Sequence, residues 1–315
     1  MSRKVIIIGA GIAGLCCAKR LISSGFDVSI FEKSRGIGGR LASRRIDNGI
    51  FNHGAASLPD FRKNDDMPKF LKYLLEKAVS EKILIPQGSN LTSYASMKTF
   101  TSYISKDVDI QKDSEIIGVT DTNRGAELEF RNDYKLQVKD NILIFAIPQP
   151  QVLALIQDQY PKISDAIKPA HMHAAISGLF AFNTAILTNQ TFLENANIFG
   201  FHENARMGQI LKLDCWTIHS KKSYGIKWSH LNKNEIKELL YNDFKNLVAG
   251  CFPQLVYSAG HRWLYGFTEK ALNENFIFDD LGKIGICGDW CLGTNVLDAA
   301  ISGTMLAEEI VSFSI

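Results

Sequence analysis

The chain has 315 residues, of which 46% are hydrophobic and 22% are charged, the composition of an ordinary globular protein and not of a disordered or fibrous one. A chain of this length usually forms about two domains. The formal net charge is only +2, which excludes the strong positive field that attracts nucleic acid or an anionic membrane. We therefore expect a small-molecule partner, and we expect neither nucleic acid nor a membrane as a partner.

The first segment predicts a strand, a tight turn, a helix and a second strand. Lys4–Ile8 is a short β-branched run, Ile12–Ser24 has helical spacing of apolar residues and ends at Gly25, and Val28–Phe31 is again apolar. The apolar run at the start of this segment follows Arg3 and therefore resembles a signal peptide. It is shorter than the roughly 17 residues that a helix needs to span a bilayer. The order of elements indicates a βαβ unit and a parallel sheet.

The turn inside this unit carries a glycine motif. Gly9, Gly11 and Gly14 join the first strand to the first helix, and Ile12 and Ala13 lie between the last two glycines. Such glycines allow a tight turn and let backbone amides and the helix N-terminus approach a pyrophosphate. Three spaced glycines can also be an ordinary turn in a chain that has 24 of them. Their place between a strand and a helix favours dinucleotide binding.

Glu32 ends the second strand, 18 residues after Gly14. A carboxylate at this position accepts hydrogen bonds from both ribose hydroxyls of an adenosine. FAD and NAD are equally compatible with this first unit. The next segment favours FAD, because Lys33 begins a glycine-dense loop that contains Gly38 and Gly39 and ends at Arg40.

Arg40 could bind a phosphate through two hydrogen bonds, although a flexible surface loop is the alternative interpretation. The loop resembles the second flavin-binding element of the amine oxidase superfamily. The stretch Asn52–Ala56, which contains His53, Gly54, Ala55 and Ala56, resembles the part of that superfamily that runs beneath the isoalloxazine ring.

The middle of the chain predicts a second domain. A helix-rich stretch covers 60–82, strands cover 114–120, 127–130 and 141–147, Pro148 and Pro150 mark a change of direction, and further elements include a strand at 176–182 and a helix at Asn234–Ala249. We predict an FAD-binding domain made of residues 1–58, 99–148 and 266–315, and a substrate or cap domain made of residues 59–98 and 149–265.

The C-terminal segment returns to the strand, turn and helix pattern, with a strand at Lys283–Cys287 and a helix at Asn295–Val311. Gly288 and Asp289 between them resemble the closing flavin motif of the same superfamily, in which the carboxylate accepts a ribityl hydroxyl. The helix that starts near Asn295, Val296 and Ala299 would direct its amides at the pyrimidine edge and stabilise reduced flavin by up to about 1 kcal/mol. Asp289 could instead only cap a turn.

Together these motifs resemble the renalase family over most of the chain. Further stretches that carry the resemblance are Ile144–Pro150 and His261–Tyr265. The resemblance implies an α/β fold, with a Rossmann-like FAD-binding domain and an inserted α+β substrate domain of the p-hydroxybenzoate-hydroxylase type. It also implies non-covalent FAD, oxidation of isomeric dihydronicotinamide dinucleotides and transfer of electrons to oxygen.

The chain departs from that family at two places. Ala56 and Ser57 stand where renalases typically have a glutamine and an aromatic residue, and Ser96–Lys98 replaces a glycine-containing turn. These departures keep a flavin-binding protein without turnover as an alternative. An amine oxidase is the nearest enzymatic alternative, and a plain NAD-dependent dehydrogenase is disfavoured by the loop that ends at Arg40 and by the closing motif at Asp289.

Side chains of the second domain give weaker signals, because the flavin itself carries the chemistry. Trp263 and Tyr265 are the candidates for a substrate-pocket wall, with plain core packing as an equal alternative. Trp216 and His219 stay unassigned. His171 and His173 would share one face of a strand, but no third ligand has recognisable spacing, so we predict no metal. The six cysteines, at 16, 17, 215, 251, 287 and 291, fit a reducing cytoplasm.

Overall fold

The computed structural model describes residues 4–64, 66–94, 96–122, 125–139, 141–186, 188, 190–207, 211–248, 252–279, 281 and 283–313. Within these ranges the strands are β1 (Lys4–Ile8), β2 (Asp27–Phe31), β3 (Arg44–Ile46), β4 (Gly49–Phe51), β5 (Ser57–Pro59), β6 (Leu84–Gln87), β7 (Asn90–Ser93), β8 (Asp109–Gln111), β9 (Ile116–Thr122), β10 (Gly125–Phe130), β11 (Lys135–Lys139), β12 (Ile142–Phe145), β13 (His171–Phe182), β14 (Phe192–Glu194), β15 (Ile198–His202), β16 (Asp214–Ser220), β17 (Leu255–Lys270), β18 (Ile277–Asp279) and β19 (Ile284–Ile286). The helices are α1 (Ile12–Ser23), α2 (Lys69–Ser80), α3 (Met97–Ile104), α4 (Gln149–Ile156), α5 (Pro161–Ile167), α6 (Glu203–Met207), α7 (Lys222–Trp228), α8 (Lys233–Leu247), α9 (Asp289–Leu292) and α10 (Val296–Phe313). Ala249 and Cys251, on which two predictions depended, lie outside the described residues.

A six-stranded sheet contains the predicted βαβ unit. Its strand order is β18-β19-β12-β1-β2-β8, and all pairs are parallel except β18 with β19. Val5 and Ile7 of β1 face one hydrophobic core, while Ile6 and Ile8 face another. Burial on both faces explains why β1 is a continuous apolar run, and it confirms the predicted α/β class with a parallel sheet.

Helices α1 and α10 lie side by side on one face of this sheet. A Cβ atom built at Gly303 of α10 would lie 2.1 Å from the carbonyl oxygen of Ala13 in α1, so only glycine allows this approach. The structure shows that the neighbour reached at Gly303 is α1.

A five-stranded antiparallel sheet forms the second half of the molecule, in the order β14-β15-β16-β13-β17. Helix α8 covers one of its faces, and Phe180, Trp216 and Phe244 pack between them. The other face packs on Phe51 of β4. The predicted domain boundary between residues 265 and 266 falls inside the continuous strand β17.

Residues 59–98, which the sequence grouped with the substrate domain, pack in the structure against the parallel-sheet half. Leu71, Leu74 and Leu75 of α2 share one hydrophobic core with α1 and α10. The segment therefore covers the parallel-sheet half, because the apolar face of α2 is buried there. Within the described residues, no helix is long and apolar enough to cross a membrane.

Candidate functional site

A cavity of about 970 Å³ lies between the six-stranded and five-stranded sheets, at the upper end of the usual size of a ligand site. Trp263 and Tyr265 line it, together with most of the predicted cofactor residues: Gly9, Gly11, Ile12, Ala13, Glu32, Lys33, Gly38, Gly39, Arg40, His53, Gly54, Ala55, Gly288, Asp289, Asn295, Val296 and Ala299. The structure thus brings residues from both ends of the chain to one site.

Gly14 and Ala56 were predicted as cofactor residues, but they do not line the cavity. A Cβ atom at Gly14 would lie 2.2 Å from the carbonyl oxygen of Gly9, so this glycine serves the packing of helix α1 against the turn. Ala56 is buried, and its carbonyl accepts a hydrogen bond of 2.8 Å from the Thr92 hydroxyl. Both residues therefore have structural roles next to the site and do not form part of the cavity surface.

The two glycine-rich loops lie next to each other. Gly38 and Gly11 form an isolated parallel bridge, and the Gly38 amide donates to the carbonyl of Ala10 at 2.8 Å. Gly9 has a φ of +104°, which L side chains rarely adopt. The contact between the loops places two backbone segments along one side of the cavity.

The N-terminus of α1 suits an anionic group. Gly11 caps the helix without a side-chain hydrogen bond, and the first turn contains no acidic residue. The first amides of the helix are therefore available to a phosphate, and the helix dipole favours negative charge there. This arrangement fits the pyrophosphate of a dinucleotide such as FAD.

Glu32 organises the same loops. Its carboxylate accepts hydrogen bonds from the amides of Ala10, at 2.9 Å, and Ser34, at 2.8 Å. A carboxylate has about four acceptor positions, so it can also accept from ribose hydroxyls. The sequence indicated the ribose role, and the structure adds a role in fixing both loops.

We expect Glu32→Ala to lower FAD retention at least tenfold, because it removes the predicted ribose acceptor and leaves the Ala10 and Ser34 amides without their partner. The flavin-to-protein absorbance ratio after gel filtration measures this retention. Glu115→Ala is the matched control, since Glu115 lines the same cavity and pairs with Arg131 at the surface, where an ion pair contributes little. Equal FAD content in both variants would contradict the ribose contact.

Arg40 and Asp289 pair with each other in the structure. Arg40 Nη1 donates to one carboxylate oxygen of Asp289 at 2.8 Å, and Nη2 donates to the other. The Thr268 hydroxyl also donates to Asp289 at 2.8 Å. The sequence predicted separate roles for these residues, toward a phosphate and toward a ribityl hydroxyl. The pair joins the second glycine loop to the C-terminal segment, and the two predicted cofactor roles stay predictions.

The N-terminus of α10 lines the cavity, but side chains of the same segment already accept hydrogen bonds from its backbone amides. The Asn295 side chain accepts from the amides of Leu297 and Asp298, and the Asp298 carboxylate accepts from those of Thr294 and Asn295. A negative side chain in the first turn reduces the positive potential at this helix end. We therefore expect a weaker effect on reduced flavin than the sequence suggested.

Three rings form a wall at the end of the cavity that meets the five-stranded sheet. The centroids of His53 and Trp263 are 5.4 Å apart in a stacked arrangement, those of His53 and His261 are 4.9 Å apart, and those of His261 and Trp263 are 4.2 Å apart. Trp263 Nε1 donates to the His53 carbonyl at 3.2 Å. Trp263 therefore combines a place on the cavity wall with a structural hydrogen bond.

Sequence reasoning did not identify His261 or Ser177. His261 was noted only as the first residue of the stretch His261–Tyr265, which carries the family resemblance, and no local pattern shows that it meets His53. His219, left unassigned, lines the cavity, and its Nδ1 atom lies 3.0 Å from the Ser177 hydroxyl. Trp216, also unassigned, is a core residue that stacks on His202.

The two histidines of the wall are uncharged near neutral pH. Burial, followed by the positive charge of Arg44, lowers the pKa of His53 to about 4. Burial also lowers the pKa of His261 to about 3, with smaller contributions from His53, Lys233 and Arg44. His171 and His173 lie apart from this wall, and the described residues contain no group of three or more side chains placed to hold a metal.

We expect the free energy of unfolding to fall as the pH drops from about 6.5 toward 4. Unfolded histidine binds a proton near pH 6.5, whereas the two folded imidazoles stay neutral, so acid favours the unfolded chain. Each unit of this shift is worth about 1.4 kcal/mol, which gives about 3 kcal/mol per histidine at about pH 4.5. Chemical denaturation of the wild type and of His261→Phe at about pH 7.5 and 4.5 measures the effect.

Between about pH 7.5 and 4.5, the free energy of unfolding of His261→Phe should fall by about 3 kcal/mol less than that of the wild type. His230→Phe is the control, because His230 is exposed and lies outside the cavity. It should follow the wild-type curve. A wild-type pH dependence in His261→Phe would mean that His261 is protonated in the folded protein.

The fold and the two glycine loops define an α/β protein with a Rossmann-like dinucleotide-binding domain. Residues 7–74 match the family model for an NAD(P)-binding Rossmann-like domain. Flavin-containing monooxygenase 3 of Homo sapiens is 31% identical over 121 residues, which are 35% of this chain and 22% of that protein. A 4,4'-diapophytoene desaturase of Staphylococcus aureus (strain MRSA252) is 41% identical over 63 residues, 19% of this chain and 12% of that protein. The matches thus span less than a quarter of either curated relative.

Two solved structures resemble the whole chain. A proposed protoporphyrinogen oxidase from Exiguobacterium sp. 255-15 has a TM-score of 0.73, and cyclohexylamine oxidase from Brevibacterium oxydans IH-35A has a TM-score of 0.71. Each is 12% identical and aligns over 99% of both chains. The chain therefore has an amine-oxidase-like fold, in which antiparallel sheets accompany the dinucleotide-binding domain.

Proposed function

We propose that the protein is an FAD-dependent oxidoreductase of the renalase type. It would bind FAD without a covalent bond, accept hydride from a reduced small molecule such as an isomeric dihydronicotinamide dinucleotide, and pass the electrons to oxygen. The observation that carries this proposal is the single cavity that connects Glu32 and the glycine loops to the ring wall at Trp263. Such a cavity can hold a long dinucleotide and a second molecule beside one of its ends.

Each end of the cavity has a distinct role in this proposal. Glu32 binds the adenosine ribose, and the first turn of α1 with Gly11 binds the pyrophosphate. Arg40 and Asp289 also line the cavity, where their ion pair would lie beside the ribityl chain. Trp263 and Tyr265 would form the wall against which the substrate lies. The five-stranded sheet would thus supply the substrate side, and the parallel sheet the cofactor side.

The chemistry that FAD supplies when bound is acceptance of a hydride and its delivery, as two electrons and a proton, to oxygen. With one further proton, oxygen then becomes hydrogen peroxide, and the dihydropyridine becomes a pyridinium. The chain's own residues would bind and orient the substrate and exclude water. The five described cysteines are buried, and none of them lines the cavity. This supports non-covalent binding.

The proposal is tested with the purified protein in two steps. Its absorbance spectrum should show bound flavin, and anaerobic addition of a mixed preparation of dihydronicotinamide isomers should bleach the flavin band. Exposure to air should then restore the band and yield peroxide. Bleaching by cyclohexylamine and other primary amines instead would assign an amine oxidase. A flavin band that none of these compounds bleaches would indicate a flavin-binding protein without turnover, consistent with Ala56 and Ser57 near the site.

A colourless protein that binds only NAD would contradict the FAD proposal itself. Trp263→Phe is a useful variant in the same assay, because phenylalanine keeps an aromatic ring but cannot donate to the His53 carbonyl. It should keep its flavin and be reduced more slowly by the same substrate.

A further inference from the structure

Residues 53–55 form a part of the cavity wall that both halves of the molecule hold in place. On the side of the second glycine loop, the Ala55 amide donates to the Arg40 carbonyl at 2.8 Å, and the Gly54 amide donates to the Ala42 carbonyl at 3.2 Å. A Cβ atom built at Gly54 would lie 2.1 Å from the Arg40 carbonyl oxygen. The segment therefore packs against this loop without free space between them.

The five-stranded sheet holds the other side of the same segment. The His53 carbonyl accepts hydrogen bonds from Trp263 Nε1 at 3.2 Å and from the Ser177 hydroxyl at 3.4 Å. One residue earlier, the Asn52 amide donates to Glu203 Oε1 at 3.0 Å, and Asn52 Nδ2 donates to Glu203 Oε2 at 3.3 Å. Two consecutive residues of the segment are thus hydrogen bonded to the second half of the molecule.

Glu203 is itself firmly held by the sheet. It is fully buried at the first position of α6, and the Thr217 hydroxyl of β16 donates to its carboxylate. Asn204 joins the same helix to the sheet, because its Oδ1 atom accepts from the Cys215 amide at 3.2 Å and its Nδ2 atom donates to the Leu213 carbonyl at 3.0 Å. The carboxylate of Glu203 therefore extends from a fixed point of the five-stranded sheet.

A buried carboxylate is costly for stability, and apolar residues of similar volume often join two surfaces equally well. Three donors converge on this carboxylate, which suits an ionised group that only accepts hydrogen bonds. Asn52 cannot exchange its amide atoms freely, since its Oδ1 atom accepts from the Ser43 hydroxyl at 3.0 Å and from the Met97 amide at 3.4 Å. The contact thus allows one arrangement of Asn52 and is suited to fixing its position.

We infer that Glu203 is a positioning residue, which acts through Asn52 and sets the place of His53 and the ring wall relative to the bound cofactor. Glu203 does not line the cavity, so the chemistry stays with the cofactor and the residues that touch it. The inference rests on the proposed function, because it assumes that the cavity holds FAD and a substrate. The rate of flavin reduction should depend on Glu203 more than either affinity does, since alignment of reacting groups is sensitive to shifts of about 1 Å.

Glu203→Gln is the central variant, because it keeps the shape and replaces one acceptor by a donor that faces other donors. In anaerobic stopped-flow reduction by dihydronicotinamides, the limiting rate should fall about tenfold or more. FAD content should equal that of the wild type, and the substrate concentration that gives half the limiting rate should stay within about threefold. Hydrogen exchange of residues 50–56 should become about tenfold faster, while residues 4–23 keep the wild-type rate. A merely structural role would instead raise exchange in both segments.

An exchanged pair of side chains tests the contact directly. Asn52→Asp alone places two carboxylates against each other, whereas Asn52→Asp with Glu203→Gln restores the hydrogen bond with donor and acceptor exchanged. The double variant should therefore regain most of the limiting rate and of the exchange protection. Glu194→Gln is the control, since Glu194 pairs with Lys221 at the surface of the same sheet, and it should match the wild type. If Glu203→Gln does not fold, Thr217→Val removes one donor to Glu203 and should show a smaller change of the same kind.

Three outcomes would overturn the inference. They are a wild-type limiting rate with wild-type exchange in Glu203→Gln, faster exchange throughout the molecule, and a double variant no better than either single variant. Hydrogen exchange needs no turnover. If dihydronicotinamides do not reduce the flavin of the wild type, the proposed substrate is wrong, and exchange with the visible circular dichroism of the bound flavin then decides the role of Glu203.

Discussion

Replacing Gly9 with alanine is expected to remove bound FAD almost completely and to lower the free energy of unfolding by about 3 kcal/mol. The φ of Gly9 is +104°, which a residue with a Cβ atom rarely adopts. A Cβ atom there would lie 2.6 Å from both the carbonyl oxygen of Ala146 and the Cγ2 atom of Ile147. The turn would have to move away from β12, and the first amides of α1 would move with it.

Gly36→Ala is the matched control for this substitution. Gly36 lies in the second glycine-rich loop, its φ lies outside the left-handed region, and a Cβ atom built there has no neighbour within 4 Å. Flavin content and denaturant midpoint should stay close to those of the wild type. If Gly9→Ala retains FAD as well as Gly36→Ala does, the first glycine loop is not part of the cofactor site.

Asp289→Ala is the second substitution with a large expected effect. It should lower the free energy of unfolding by about 3 kcal/mol and weaken FAD retention at least tenfold. Asp289 is 3% exposed and accepts hydrogen bonds from both Arg40 and Thr268. Its removal leaves the guanidinium without a counter-ion, which is costly when the charge is partly buried. It also disconnects the second glycine loop from the C-terminal segment.

Two further variants test whether the effect of Asp289→Ala comes from the lost charge and from the buried location of this residue. Asp289→Asn keeps the shape but gives Arg40 a neutral partner, so it should lie between the wild type and the alanine variant. Asp165→Ala breaks the exposed pair between Asp165 and Lys168, and it should change stability by less than about 1 kcal/mol. Equal denaturant midpoints for Asp289→Ala and Asp165→Ala would show that the Arg40 pair does not hold the two segments together.

The predictions from local pattern agree with the structure where neighbouring residues decide the conformation. The first βαβ unit begins and ends within a residue of its predicted bounds, because strand, glycine turn and amphipathic helix are encoded in consecutive positions. The helix predicted from Asn234 is α8, which begins one residue earlier at Lys233 after a capping box formed by Asn232 and Glu235. Such caps and periodicities are properties of short segments.

Contacts between residues that are far apart in the sequence could not be predicted from such local patterns. Residues 59–98 were grouped with the substrate domain, because the apolar face of α2 gives no indication in the sequence of which core it joins. In the structure that face shares a core with α1 and α10. Arg40 and Asp289 were recognised separately, but their pairing spans 249 residues. The predicted boundary between residues 265 and 266 lies within β17, which continues to Lys270.

The sequence by itself determined the α/β class, the parallel sheet and the positions of the glycine loops, because these depend on side-chain periodicity and on backbone freedom at single residues. Only the tertiary structure decided that His53 meets His261 and Trp263, and that Arg40 binds Asp289. Such contacts depend on how two sheets pack across one cavity. Burial then lowered the pKa of both histidines, since solvent exclusion is a property of the packed molecule and not of any segment of its chain.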